Sequence, residues 1–213
     1  MAVAMLSDSL KSALSEARHD MAALASAEVQ KTNGAIFQAA QSQPQYNGMG
    51  TTLVLAMFRN NRVTVAHIGD SRLYRLRGEQ LAQLTRDHSL LQEQIDSGLI
   101  NREDARHSHN KNLVTRALGV DETVEVEVNE YEVLPDDLFL LCSDGLNDMV
   151  GDEDIQLTLG LMGANLEMAA QQLVQMANDN GGRDNVSVIL VRVLGDFAEK
   201  RNWFAKLLNW FGQ

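Results

Sequence analysis

The sequence has a single cysteine, Cys142, so no disulfide can close within the chain and no multi-cysteine metal cluster can be built. A lone thiol fits a reducing, cytoplasmic setting. Proline is almost absent, with Pro44 and Pro135 the two examples in 213 residues. No Pro-rich or Gly/Ser-rich stretch separates two halves, so one domain is expected. Aromatic residues make up only 5%. No apolar run approaches membrane-spanning length, and the N-terminus lacks a basic start followed by an apolar block. Positive charge is also scarce: 18 Lys and Arg against 29 Asp and Glu give −11. That is the wrong sign for neutralising phosphates, which excludes nucleic acid as the expected partner.

What is present is ordinary globular material, 45% hydrophobic and 22% charged. Residues 3–41 read as helix, with Leu6, Leu10, Leu14, Ala17, Met21, Leu24 and Val29 near helical spacing and Asn33-Gly34 as a weak point. Past Gly50 the pattern turns to strands. Thr51–Phe58 and a return strand from Val63 flank Asn60-Asn61, and a second hairpin joins Arg72–Leu76 to Gln80–Leu84. Val124, Val126 and Val128 alternate with glutamates, as in a strand with one wet face. Leu138–Cys142 is continuously apolar and reads as a buried strand; helices at about 152–161 and 165–179 and a last strand at Val186–Leu194 follow. Strands and helices come in blocks, which predicts an α+β layered domain.

Three aspartates sit where apolar strands end or begin: Asp70 in Gly69-Asp70-Ser71-Arg72, Asp144 in Ser143-Asp144-Gly145, and Asp184 in Gly182-Arg183-Asp184-Asn185. Strand ends on a rigid sheet suit carboxylates that converge on a hard cation such as Mg²⁺ or Mn²⁺. Asp beside Gly also simply makes turns.

The strings around these residues carry a resemblance. They are Gly48-Met49-Gly50-Thr51-Thr52, His67-Ile68-Gly69-Asp70-Ser71-Arg72-Leu73-Tyr74, Leu84-Thr85-Arg86-Asp87-His88-Ser89, Thr115-Arg116-Ala117-Leu118-Gly119, Leu141-Cys142-Ser143-Asp144-Gly145-Leu146 and Gly182-Arg183-Asp184-Asn185-Val186-Ser187. In this order, over about residues 3–194, the chain resembles the bacterial metal-dependent protein serine/threonine phosphatases of the PPM (PP2C-like) family. The resemblance implies a β-sandwich flanked by helices and hydrolysis of phosphoserine or phosphothreonine in phosphoproteins by water activated by Mn²⁺ or Mg²⁺. By motif match, Asp144 and Asp184 resemble ligands of the catalytic metals and Asp70 the ligand of a third, weaker metal. Residues about 85–115 resemble a mobile flap beside the site.

One departure bears on activity. The family opens with two strands carrying an arginine segment with Asn-Glu-Asp and then Asp-Gly-Met-Gly-Gly-His, and neither string occurs here. The resemblance therefore implies a domain over 1–196 that is incomplete at its N-terminus, with no general acid or phosphate-contacting arginine, and a weakened metal site. A non-catalytic, phosphoprotein-binding pseudophosphatase is the alternative.

Other chemistries fit less well. A cysteine phosphatase needs Arg six residues past its nucleophile, where Cys142 has Asp148, so Cys142 reads as a small core residue. His107 and His109 form an alternating pair in a polar stretch. A serine esterase using Ser71 with Asp104 and His107 is the rival enzyme, although its Asp/His pair belongs near the C-terminus and no histidine follows His109. Finally, Phe197, Phe204, Leu207, Leu208 and Phe211, with Trp203 and Trp210, predict an amphipathic helix over 197–213. It is expected to pack on the sandwich, with a partner or a peripheral membrane contact through 197–211 as the alternatives.

Overall fold

The computed structural model describes residues 2–14, 20–42, 44–101 and 113–198. Two antiparallel sheets stack face to face between two layers of helices. One sheet has the order β1 (Leu53–Arg59), β2 (Arg62–Ile68), β5 (Glu127–Glu132); the other runs β4 (Gln80–Gln83), β3 (Arg72–Arg77), β6 (Leu138–Cys142), β7 (Val188–Arg192). Helices α1 (Ala2–Leu14) and α2 (Met21–Ser42) cover the first sheet, and α5 (Asp152–Met162) and α6 (Leu166–Asp179) cover the second. Two short helices, α3 (Leu90–Asp96) and α4 (Asp144–Asn147), sit in the connections. The α+β sandwich implied by the sequence is the observed architecture.

Alternation along the strands divides the core into three layers. Val63, Val65, Leu73, Phe139, Leu141 and Val193 fill the space between the sheets, where Phe58 meets Phe139 edge to face at 5.1 Å. Leu138, Leu140 and Cys142 point the other way, against Ile155, Leu159 and Leu173. Strand β6 is thus buried on both faces, which is why its sequence is apolar without interruption. Burial pushes the Cys142 thiol up to about 12, as befits a core residue with no nucleophilic role.

The long helical pattern at the N-terminus is two helices. Asp20 starts the second by accepting the N–H groups of Ala22 and Ala23 at 3.0 and 3.2 Å. Asn33-Gly34 does not break α2. The fully buried Asn33 side chain donates to the carbonyls of Asp121 and Glu122 and accepts the Gly119 N–H, so it ties the helix to the loop before β5. The valine alternation at 124–128 places the strand about three residues early: β5 begins at Glu127, and Val124 and Val126 pack with α1 and α2. The last strand is likewise shorter than its apolar pattern.

Antiparallel register sets the geometry of the whole domain. Leu53 pairs with Ile68, His67 with Glu127, Arg72 with Cys142, and Cys142 with Val188. The start of β1, end of β2, starts of β3 and β5, end of β6 and start of β7 therefore all meet at one end of the sandwich. The other end is closed by tight turns. Asn60 and Asn61 both take positive φ, as a two-residue hairpin turn requires. Asp137 accepts both arms of the Arg77 guanidinium at 2.7 Å and the Leu134 N–H at 2.8 Å.

Among the described residues the sandwich is open on one side, where β1 and β7 are each an edge strand of their sheet. Ile189 of β7 is 59% exposed, and a cavity of about 560 Å³ lies between Phe58 and the 191–197 segment. Phe197 packs against the inter-sheet layer, and its N–H donates to Asn61 Oδ1 at 2.9 Å. The rest of the predicted tail helix, 199–213, lies outside the described residues. Among the described residues no helix is long and apolar enough to cross a membrane.

The Arg77–Asp137 pair yields a stability prediction. Burial pushes the Asp137 carboxyl up, but the guanidinium and the Leu134 N–H outweigh it and hold the carboxyl below its usual range. Its contribution is therefore complete above the ordinary carboxylate pKa and is lost as pH falls through the lowered one. Asp137→Asn is expected to lower the unfolding free energy at neutral pH by about 1–3 kcal/mol. Denaturant melts should show the deficit shrinking below about pH 4.

Candidate active site

The end of the sandwich where the strands converge gathers all six sequence strings. Asp70 follows β2 and is 7% exposed. Burial and then the charge of Asp144, with smaller contributions from Asp87 and Asp148, push its carboxyl up to about 6. Asp70 and Asp144 lie 74 residues apart in the chain, yet one follows the end of β2 and the other the end of β6, at the same end of the sandwich.

Asp144 opens α4, and its Oδ1 accepts the Gly145 N–H at 2.8 Å. The 184–187 segment is laced to the same turn. Ser143 Oγ donates to the Asn185 carbonyl at 3.1 Å and accepts the Ser187 N–H at 3.0 Å, while the Ser143 N–H reaches the Ser187 carbonyl at 3.1 Å. Gly145 lies so close to the Asn185 carbonyl that a Cβ would collide with it. Asp184 itself is exposed, and its Oδ1 accepts the Asn185 N–H at 2.6 Å. Asp144 and Asp184 thus share one end of the sandwich, as their strings suggest.

Gly69, with φ +100, turns the chain from β2 into Asp70. It packs against Thr52, whose side chain would meet any Cβ there, and Thr52 Oγ1 shares a 2.8 Å hydrogen bond with Ser71 Oγ. Ser71 is buried in this contact. Asp104 and His107, its proposed esterase partners, lie outside the described residues, as does His109. Gly119, with φ +83, backs onto Ile36 of α2, so the 115–119 string is a packing element.

The segment resembling the start of a flap is held firmly. Arg72 grips the Asp87 carboxylate with Nε and Nη2 at 2.9 and 2.6 Å and reaches Tyr74 Oη with Nη1 at 2.8 Å. The Leu73 N–H donates to Thr85 Oγ1 at 3.0 Å. Residues 102–112 of the expected flap lie outside the described residues.

A second group was invisible in the sequence. His67, His88 and Glu127 present ligand atoms within 4.8 Å of one another. Their hydrogen bonds account for them differently. His88 Nδ1 accepts the Gly69 N–H at 3.1 Å, so the ring proton sits on Nε2, 3.3 Å from Glu127 Oε2. His67 Nε2 lies 2.8 Å from the Arg86 carbonyl and donates to it. The two rings stack at 4.7 Å and 20°. Both Nε2 atoms carry protons, and the Arg116 guanidinium stands 3.4 Å from His88 Nε2. His88, backed by Glu127 and by the stacked His67 ring, supports Gly69, while His67 Nδ1 is buried without a hydrogen-bond partner. Glu127 alternates with valines in the sequence and so reads as a wet strand face.

Comparison with known proteins bears on the fold and the family. A family model described as Protein phosphatase 2C matches residues 1–190. The Serine/threonine phosphatase stp of Listeria welshimeri is 41% identical over 193 residues, covering 90% of this chain and 76% of that protein. A crystal structure of the Mycobacterium tuberculosis serine/threonine phosphatase PstP/Ppp superposes with a TM-score of 0.83 at 36% identity, over 91% of this chain and 81% of that one. The catalytic domain of PstP in complex with two manganese ions gives 0.79 at 36% identity, over 91% and 80%. The sandwich fold agrees with these matches, and the chain belongs to the protein phosphatase 2C family.

Proposed function

We propose that this chain is a metal-dependent protein serine/threonine phosphatase acting on phosphoproteins in the cytoplasm, with Mn²⁺ or Mg²⁺ held by Asp144 and Asp184 and a weaker ion at Asp70. The observation that supports the reading is the placement of Asp70, Asp144 and the docked Asp184 loop at one end of the sandwich. The donors there are all oxygens, which suits a hard divalent cation and relieves the repulsion between the carboxylates. A divalent cation, when bound, lowers the pKa of water and neutralises charge on a transferring phosphoryl group.

The residues of the chain do the rest. Asp70 and Asp144 lend negative charge at fixed positions on strand ends. Ser143 and Gly145 hold the 184–187 loop in place. In a chain of net charge −11, an approaching phosphoprotein meets repulsion that only a cation at this end offsets. The described residues supply few donors, and the open edges of β1 and β7 are where further strands would seal the sandwich and add others. We infer that the chain alone holds the metal weakly and turns over slowly until those edges are covered.

Phosphate release from a phosphothreonine peptide should require added Mn²⁺ and stop with EDTA. Asp144→Asn should lower it about 10–100-fold or more. Hydrolysis that survives EDTA would contradict the metal reading and favour Ser71. Peptide retention without any turnover would mark a binding module instead. Gly145→Ala tests the docking of the Asp184 loop: a Cβ against the Asn185 carbonyl should cost about 1–3 kcal/mol of stability. Calorimetry should also show weaker Mn²⁺ binding by that variant than by the parent chain.

A further inference from the structure

Gly69 is held from both sides by one residue. Its N–H donates to His88 Nδ1 at 3.1 Å, and its carbonyl accepts the His88 backbone N–H at 2.9 Å. These bonds fix the two peptide planes that flank the Gly69 Cα, and so the φ of +100 from which Asp70 emerges. The His88 ring is buried and fixed in turn: it stacks on His67, and its Nε2–H faces Glu127. The backbone on either side of His88 is anchored as well. Arg72 grips Asp87, and the Thr115 N–H donates to the His88 carbonyl at 2.9 Å. Nothing in this arrangement is explained by core packing alone, because the ring spends its one acceptor on a turn that carries a carboxylate.

We propose that His88 is a positioning residue for Asp70. Through Nδ1 it sets the Gly69 turn, and thereby the place from which the Asp70 carboxylate reaches the cation site. Glu127 acts one step further out: it receives the Nε2 proton and so keeps Nδ1 free as the acceptor. The inference rests on the reading of Asp70 as a metal-site carboxylate. It adds a chain of command from β5 through the His88 ring to the end of β2.

Two substitutions separate positioning from bulk. His88→Asn keeps an acceptor where Nδ1 stands, whereas His88→Gln keeps a polar group where Nε2 stands and loses the acceptor. Both remove the stacked ring and are expected to lower the melting temperature alike. By calorimetry on the intact chain, Mn²⁺ affinity should fall about 10–100-fold in His88→Gln and stay near the parent value in His88→Asn. Equal losses in both variants, or none in either, would overturn the proposal. Should a variant fail to fold, nitrogen-15 spectra of the metal-free parent chain still decide. They should show His88 protonated at Nε2 and bare at Nδ1, with a slowly exchanging Gly69 amide, and a proton on Nδ1 refutes the arrangement. Asp70→Asn serves as the control for the underlying reading. If it leaves Mn²⁺ affinity unchanged, Asp70 is not a metal-site carboxylate, while the Gly69 amide of the two His88 variants still reports whether His88 sets the turn.

Discussion

Two carboxylates, Asp70 and Asp144, stand at the same end of the sandwich, one of them buried, and most of the local structure can be understood as the means of keeping them there. Left to themselves, like charges in a poorly hydrated place separate or take up a proton. Here separation is blocked. Asp70 stands on a turn pressed against Thr52 and held by His88, and Asp144 stands on a turn pressed against Asn185. Burial first, and then the Asp144 charge, raise the pKa of the Asp70 carboxyl, and a divalent cation bound there would offset that cost.

The sheets supply the rigidity. Antiparallel register brings six strand ends to one place, and the three apolar layers behind them leave little freedom for those ends to drift. Rigidity is uneven, however. Helices α1 and α2 back the face of the β1–β2–β5 sheet, and the Arg77–Asp137 pair closes the far turn, whereas among the described residues β1 and β7 leave the inter-sheet layer accessible along one side. Unpaired edges and exposed apolar residues such as Ile189 have a free energy to gain from any strand laid along them. Site completeness and edge completeness are thereby linked, because the site lies at the end of those same edges.

Much of this was legible in the sequence, for identifiable reasons. Leu138–Cys142 announced a strand buried on both faces, since only such a strand can be apolar at every position. Asp70, Asp144 and Asp184 stood out because each lies within two residues of both a glycine and an apolar run. The break between α1 and α2 was hidden because the apolar spacing carries across it, and Asn33 looked like a defect because its three partners lie in the 119–122 loop. Glu127, His88 and His67 could not be linked by any local pattern; 39 residues separate the glutamate from the nearer histidine, and only register joins them. Arg72 and Asp87 sat within quoted strings, yet their salt bridge belongs to tertiary structure.

The central claim is that the strand-end carboxylates at this end of the sandwich, and no other group of side chains, hold the divalent cation. Anomalous scattering from crystals grown with Mn²⁺ tests it most directly. The account predicts manganese peaks among Asp70, Asp144 and Asp184, with the His67, His88 and Glu127 trio free of metal. Manganese bound at that trio, with none among the aspartates, would contradict it.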